Sequence, residues 1–419
     1  MSNTVAVLGA GMVGVSCALE LQRRGFQVTL YERRAPGQET SYGNAGVIAR
    51  SSLIPFNHPG LWASLPNLLR NQSPQFRYSP SFLARNLGWA TGFLARARPQ
   101  PFEETARALD GLIRLSTTEH QRLLGLAGER HRLRDNGWLF LYRSQAAYDA
   151  GAAGRAVFER YGVRTQGLDA AELQGLEPGL KHGLFPRTLW VQDSASVDSP
   201  GAVTEAYARL FVAQGGRLVC SPVQGLARSG SPAAWQLRLN DGTTAQTDRV
   251  VVALGPWSAG FLKEQLGLRV PMAFERGYHR HFGAEGGATL GRPVYDTGGA
   301  YVLSPMAQGL RLTSGVELTD LDAPRNPLQL ALAEEAARQA FPLGARVEAE
   351  PWMGSRPTLP DSRPMIGAAP GQPGLWLAFG HQHIGFSTGP GTAVLLGALM
   401  AGETPAIDAS PFRPERFLR

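Results

Sequence analysis

The chain has 419 residues, 43% of them hydrophobic and 18% charged, with 50 Gly, 30 Pro and a formal net charge of +7. That length allows two or three domains with ample buried core, and the balance of apolar and charged residues excludes a disordered chain, a fibrous repeat and a coiled coil. All but two of the 41 basic residues are Arg, the exceptions being Lys181 and Lys263, and they are scattered rather than gathered into the stripe a nucleic-acid binder presents, so no nucleic-acid partner is expected.

Met1 to Thr4 lead straight into Val5-Ala6-Val7-Leu8 with no charged n-region, so these apolar letters read as a buried strand rather than a targeting segment. Gly9-Ala10-Gly11-Met12-Val13-Gly14 follows, then a helix over Val15–Arg24 that Gly25 ends, then a strand Gln27–Tyr31 closing on Glu32. Each part has a task at a dinucleotide. Gly9 allows the tight turn, Gly11 lets backbone approach a pyrophosphate, and Gly14 permits close helix–strand packing. Glu32, 18 positions after Gly14, is placed to accept from a ribose diol. The acid argues against a 2′-phosphate, a point softened by Arg33 and Arg34, and these residues alone leave FAD and NAD both open. A polar loop comes next, Glu39-Thr40-Ser41-Tyr42-Gly43-Asn44-Ala45-Gly46-Val47-Ile48, able to supply backbone N–H groups and small side chains beside a cofactor. The glycine motif, Glu32 and the Thr40-Ser41…Asn44-Ala45-Gly46 segment together resemble the D-amino-acid oxidase-like FAD oxidoreductases, and within them the bacterial D-amino-acid dehydrogenases.

Further along, residues 61–136 read as helix-rich, with a helix over Phe102–Leu124, and Trp138–Tyr142 reads as a strand. Ser199–Gly215 is a predicted helix, Arg217–Cys220 a strand followed by Pro222-Val223, and Trp235–Leu239 with Gln246–Ala253 a hairpin around Asp241-Gly242. That hairpin ends in Leu254-Gly255-Pro256-Trp257-Ser258, a loop at a strand's carboxyl end, where open α/β sheets bind ligands. Arg269–Gly315 is strand-rich and aromatic, and Ala331–Phe341 is a helix. Thr392–Ala401 is too short to cross a bilayer. Cys17 and Cys220, about two hundred residues apart, make neither a disulfide framework nor a metal site, and Cys17 reads as a buried apolar residue.

Two late segments extend the resemblance. Trp352–Gly367 is similar to the family's Gly-x-Arg-Pro…Asp…Pro-x-Ile-Gly block, here Gly354-Ser355-Arg356-Pro357, and Leu377–Pro390 is similar to its second flavin loop, entering a helix at about Gly391. The resemblance implies an α/β fold: a discontinuous Rossmann-type FAD-binding domain (1–60, 161–267 and 346–419) and a mostly antiparallel substrate domain with an inserted helical segment (61–160 and 268–345). It implies an FAD site built from Gly9, Ala10, Gly11, Met12, Val13 and Gly14; Glu32 and Arg33; Thr40, Ser41, Asn44, Ala45, Gly46, Val47 and Ile48; Val223; Ala253, Leu254, Gly255 and Trp257; Gly354 and Arg356; and Gly380, His383, Ile384, Gly385, Phe386, Ser387 and Thr388. The catalytic set it implies is Arg356, Tyr278, Tyr301 and His383. No Cys lies in 350–365 to tether a flavin, so the FAD is expected to be non-covalent.

Read as residues alone, Arg356 is either a structural ion-pair partner or a guanidinium that grips a substrate carboxylate. Tyr278 and Tyr301 are either core aromatics or pocket walls. His279/His281 and His381/His383 form His-x-His pairs, which on a strand point to one face, but no Cys or tight carboxylate cluster completes a metal site, and none is expected. His58, before Pro59-Gly60, either lines a mouth or simply ends a loop, and it is not assigned a role. The activity implied is oxidation of a D-amino acid, or a proline-like secondary amino acid, to an imine by hydride transfer to flavin N5, with electrons passed to a quinone or another acceptor and no essential side-chain base. The rivals are a glycine- or sarcosine-type oxidase using oxygen, a flavin-carrying subunit of a larger redox complex, and an NAD-dependent dehydrogenase. The expected location is the cytoplasm, with peripheral attachment to the inner membrane face left open.

Overall fold

The strand Thr4–Leu8 carries no polar side chain after Thr4 because both its faces are covered: Val5 and Val7 join one core cluster, Ala6 and Leu8 another. The protein is described by a computed structural model over residues 3–230 and 235–418; Met1, Ser2, 231–234 and Arg419 lie outside the described residues. Strands run in the sheet order 217–220, 27–32, 4–8, 249–252, 375–379, 365–368, all parallel except the last. The helix Met12–Arg23 starts three residues before the predicted one, and Gly25 follows it at a φ of +85°.

On that sheet lies the helix Gly385–Ala401, packed against both Met12–Arg23 and Pro99–Leu126. It starts six residues before the expected Gly391, with Pro390 inside it. Pro390 has no N–H for the Phe386 carbonyl, and the ring of His120 fills the gap, its Nε2 lying 2.8 Å from that oxygen. The Tyr207 hydroxyl lies 3.0 Å from His120 Nδ1, so the helix is held at its proline by a side-chain pair from two other helices. Segment Gln382–Ala401 is long and apolar enough to span a membrane by composition, but 78% of it is buried in this core. Cys17 is buried beside it, and burial pushes its thiol pKa up.

A second, larger sheet has the order 76–78, 316–318, 273–284, 309–313, 301–306, 294–296, 138–142, 187–191, 165–169, with 343–346 and 352–358 also pairing with 273–284. The sheet memberships move three expected boundaries. Strands Thr165–Asp169 and Arg187–Val191, expected in the FAD-binding part, belong to the large sheet, as does Trp352–Thr358. The helix Pro99–Leu126, expected in the substrate domain, buries Ala108, Leu112, Leu123 and Leu124 in the core under the parallel sheet. The hairpin after Trp235 also differs: its return strand is Thr244–Thr247, and Arg249–Val252 is a separate strand of the parallel sheet. Asp248 divides them, because its carboxylate accepts from the Thr4 N–H (2.9 Å) and hydroxyl (2.8 Å) and turns the chain into the next layer.

Candidate active site

One cavity of about 920 Å³ runs between the parallel sheet's carboxyl ends and a face of the large sheet, near the upper end of the range for small-molecule sites, about 300–1,000 Å³. At its first end, Gly9 turns at a φ of +101°, where a Cβ would lie 2.6 Å from the Ala253 carbonyl oxygen, and a Cβ on Gly14 would lie 1.8 Å from the Gly9 oxygen. Only glycine fits either position. Gly11, Met12 and Val13 bring the helix N-terminus to the cavity wall, with the Ser41 hydroxyl accepting from Met12 N–H at 2.9 Å. Glu32 Oε2 accepts from Ala10 N–H and Oε1 from Arg33 N–H, both at 2.7 Å. Oε1 also accepts from Arg34 N–H at 3.3 Å, and since a carboxylate offers about four acceptor positions, Glu32 keeps capacity for one further donor such as a ribose hydroxyl. Arg33 stacks 3.9 Å over Trp257 and pairs with Glu39 at 2.7 Å, which neutralises the charge beside Glu32. The glycine turn, the exposed helix N-terminus and the acid fit the pyrophosphate and ribose of FAD.

The loop 39–48 is held from both sides. Thr40 Oγ1 donates to Ser355 O at 3.0 Å, and Ser387 Oγ to Val47 O at 2.9 Å. From the large sheet, Arg311 Nη1 donates to the carbonyls of Tyr42 (2.7 Å) and Asn44 (2.6 Å), and its Nε to His281 Nε2 at 3.0 Å. Arg offers no acceptor, so His281 Nε2 must be the unprotonated nitrogen and its Nδ1–H faces Glu348. Burial and the Arg311 charge hold the His281 pKa below its ordinary value, and burial brings that of Arg311 down to about 10.

At the far end, strand pairing places Arg356 opposite Glu275, Gly354 opposite Gly277 and Trp352 opposite His279, all on one face. The Arg356 guanidinium lies against Gly277, where a Cβ would be 2.4 Å from its Nη2. Among the described residues it makes no hydrogen bond or close ion pair. Burial lowers its pKa and Glu275 pulls it back up. Glu275 is 3% exposed and its Oε2 has no hydrogen-bond partner; burial raises its pKa against Thr358 and Arg356. His383 stacks on Phe56 at 4.6 Å, and burial with the nearby Arg356 charge pushes its pKa down to about 3, so the ring is neutral at pH 7. Its Nδ1 is buried and has no hydrogen-bond partner among the described residues.

Most of the expected cofactor residues meet at this cavity: besides those above, Ala45, Val223, Leu254, Gly255, Ile384, Gly385 and Phe386 line it. Six do not. Ala10 and Gly14 act through backbone, as described. Gly46 (φ +74°) passes under Val197 and Met306, and Gly380 (φ +86°) under Leu359, so both are turn glycines. Ile48 is in the core, and Thr388 Oγ1 donates back to Ile384 O at 2.8 Å within its own helix. For the two tyrosines the outcome is mixed. Tyr278 and Tyr301 border the cavity, but both rings belong to the large sheet's opposite core. The Tyr278 hydroxyl accepts from Asn326 N–H at 2.8 Å, and the Tyr301 ring abuts the Asp296 carboxylate that Arg143 pairs with at 2.7 Å. The tyrosine on the cavity face is Tyr295, in a row with Val302 and Thr313. The late His pair does not share a strand face: His381 Nε2 lies 2.9 Å from Thr392 Oγ1, whereas His383 turns to Phe56.

Sequence reasoning did not single out Glu275, Trp352, Tyr295 or the residues supplied by segment 56–94 as cavity walls, and it left His58 unassigned. Glu275 was detectable in principle, at even spacing from Gly277 on a strand; segment 56–94 had no signal beyond apolar helices.

The chain is similar over nearly its whole length to known proteins. A D-amino-acid oxidase of Bradyrhizobium diazoefficiens is 32% identical over 99% of each chain, and a D-amino acid dehydrogenase 2 of Pseudomonas aeruginosa is 32% identical over the full length of both. Among solved structures, glycine oxidase from Geobacillus kaustophilus superposes with a TM-score of 0.73 at 21% identity, covering 98% of each chain. L-proline dehydrogenase from P. horikoshii also reaches 0.73, at 17% identity, covering 99% of this chain and 97% of that one. These likenesses show the fold. The family model described as DAO, FAD dependent oxidoreductase, matches residues 4–399, and the chain belongs to that family.

Proposed function

We propose that the protein oxidises a D-amino acid, or a proline-like secondary amino acid, at its α-carbon. The observation that carries this reading is Arg356: a half-buried guanidinium that makes no hydrogen bond or close ion pair among the described residues, laid against a glycine floor and lining the same cavity as the FAD-type cradle. Its planar fork matches a substrate carboxylate with two parallel hydrogen bonds. When bound, FAD supplies the acceptor for the two electrons of the substrate's α-C–H bond. Arg356 fixes the carboxylate, and the neutral His383 ring adds no competing charge. The small residues Gly277 and Gly354 let the Arg356 guanidinium and the Trp352 ring lie flat against the cavity wall. Loss of two electrons and two protons turns the amine into an imine, which water converts to a 2-oxo acid and ammonia; a cyclic imine persists.

The D configuration is supported by the names of the relatives at 32% identity. Release of electrons to a quinone, from a cytoplasmic protein touching the inner membrane face, belongs to the same proposal. Its supports are the relatives named dehydrogenases and the exposed Phe56, Trp62, Leu69 and Leu87, clustered in one segment without an acidic residue. The relative named as an oxidase favours a second reading in which oxygen takes the electrons. Anaerobic addition of D-amino acids to the purified yellow protein tests the first reading: the flavin band bleaches with at least one of them, and persistence of the band with all of them contradicts it. Peroxide release in air, set against reoxidation by a soluble quinone analogue, separates the acceptors.

A further inference from the structure

The cavity that Arg356 lines is also walled by residues of the segment 56–94, which form a lobe of it. That segment is anchored beside the site: its strand Phe76–Tyr78 pairs in parallel with Val316–Leu318, the neighbour of the strand carrying Glu275, and Trp89 Nε1 donates to Thr358 O at 2.9 Å, two residues from Arg356. The helix Leu61–Leu69 turns Leu61, Leu65 and Leu68 toward the lobe at i, i+4 and i+7, and Phe76, Trp89 and Phe93 also line it. None of the residues this segment contributes to the cavity is charged, although Arg70, Arg77 and Arg85 lie within it.

We propose that this lobe receives the substrate's side chain, so that the preferred substrates are amino acids with a long aliphatic or aromatic side chain. The inference rests on the reading of Arg356 as the carboxylate anchor. With the carboxylate fixed there, an apolar side chain leaves water for an apolar wall. A charged one loses its hydration and meets no counter-charge among the residues that this segment contributes. The helix Leu61–Leu69 contains no fully buried residue, so its inner stripe can change without cutting into a core.

Anaerobic rapid-mixing reduction of the FAD-loaded protein by D-alanine, D-norleucine, D-phenylalanine, D-aspartate and D-lysine tests this. The expected reduction rate constant divided by dissociation constant is at least about 10-fold higher for D-norleucine and D-phenylalanine than for D-alanine, and lower still for the two charged substrates. In Leu65→Asp, with flavin absorbance reporting loading, the norleucine-to-alanine ratio falls about 10-fold. A preference for D-alanine or a charged substrate overturns the inference and leaves the amino-acid reading standing. A ratio unchanged in Leu65→Asp, with slower reoxidation by a quinone analogue, also overturns it and gives the lobe to the electron acceptor. Failure of every amino acid to reduce the flavin removes the amino-acid reading and this inference together.

Discussion

Along the strand Ala273–Ala284, side chains alternate between the cavity and the opposite core, and that parity separates chemistry from scaffolding. Glu275, Gly277 and His279 share the face of Arg356, whereas Tyr278 joins the core behind. Tyr278→Phe is therefore expected to leave the apparent KM unchanged while costing about 1 kcal/mol of stability, because the Asn326 N–H loses its acceptor; thermal denaturation beside steady-state kinetics reads both. Gly277→Ala is the converse case. A Cβ 2.4 Å from Arg356 Nη2 must displace the guanidinium, so KM should rise about 10-fold or more with flavin still bound. Arg356 was legible because its neighbours form a local motif, Gly354-Ser355-Arg356-Pro357. The phase of the tyrosines was not, since it depends on a register with a strand some seventy-five residues away, which pairs Tyr278 with Met353 rather than with Arg356.

Among the elements, the opening strand–turn–helix–strand was the most readable, because its glycine spacing and terminal acid are set by close packing within thirty residues. The start of the helix Gly385–Ala401 was misplaced because Pro390 reads locally as a stop, and only the distant His120 ring supplies the compensating contact. Strands Thr165–Asp169 and Arg187–Val191 were assigned to the wrong layer for a similar reason: sheet membership is a non-local property. The loop 39–48 shows what such distant contacts do for function. Arg311 holds two of its carbonyls and is itself oriented by His281 and Glu348. Arg311→Met removes two charge-assisted bonds, each worth roughly 1.5–3 kcal/mol. FAD should bind at least about 10-fold more weakly, as read by recovery of flavin fluorescence on dilution; unchanged affinity would show that the loop holds its shape without the clasp.

Over the whole molecule, polar side chains are buried where the two sheets and their helices meet, and several are histidines kept neutral. Burial brings His120 down to about 4 and His381 to about 3, and His279 well below its ordinary value. In the unfolded chain these rings titrate near 6.5, so between about pH 6.5 and 4 the unfolded state binds protons that the folded state refuses. Stability is accordingly full above pH 6.5 and declines as pH falls through that window, by about 3 kcal/mol for His120 alone. Thermal midpoints taken from pH 7 to pH 4.5 should fall steadily, and His120→Gln should lower the pH 7 value while flattening the slope; a midpoint constant down to pH 4.5 would contradict the account. The same burial surrounds the cavity that holds both the cradle for FAD and the Arg356 guanidinium, which makes no hydrogen bond or close ion pair among the described residues, and this is the claim most open to direct test. Anaerobic reduction by a D-amino acid and by its amide, in the wild type and in Arg356→Leu, measures the carboxylate contact itself. Losing a buried charge-pairing partner costs roughly 2–5 kcal/mol. The account predicts that the wild type favours the acid over the amide by about 100-fold in dissociation constant and that Arg356→Leu abolishes the preference with the flavin band intact. Equal binding of acid and amide by the wild type, or a preference that survives the substitution, would contradict it.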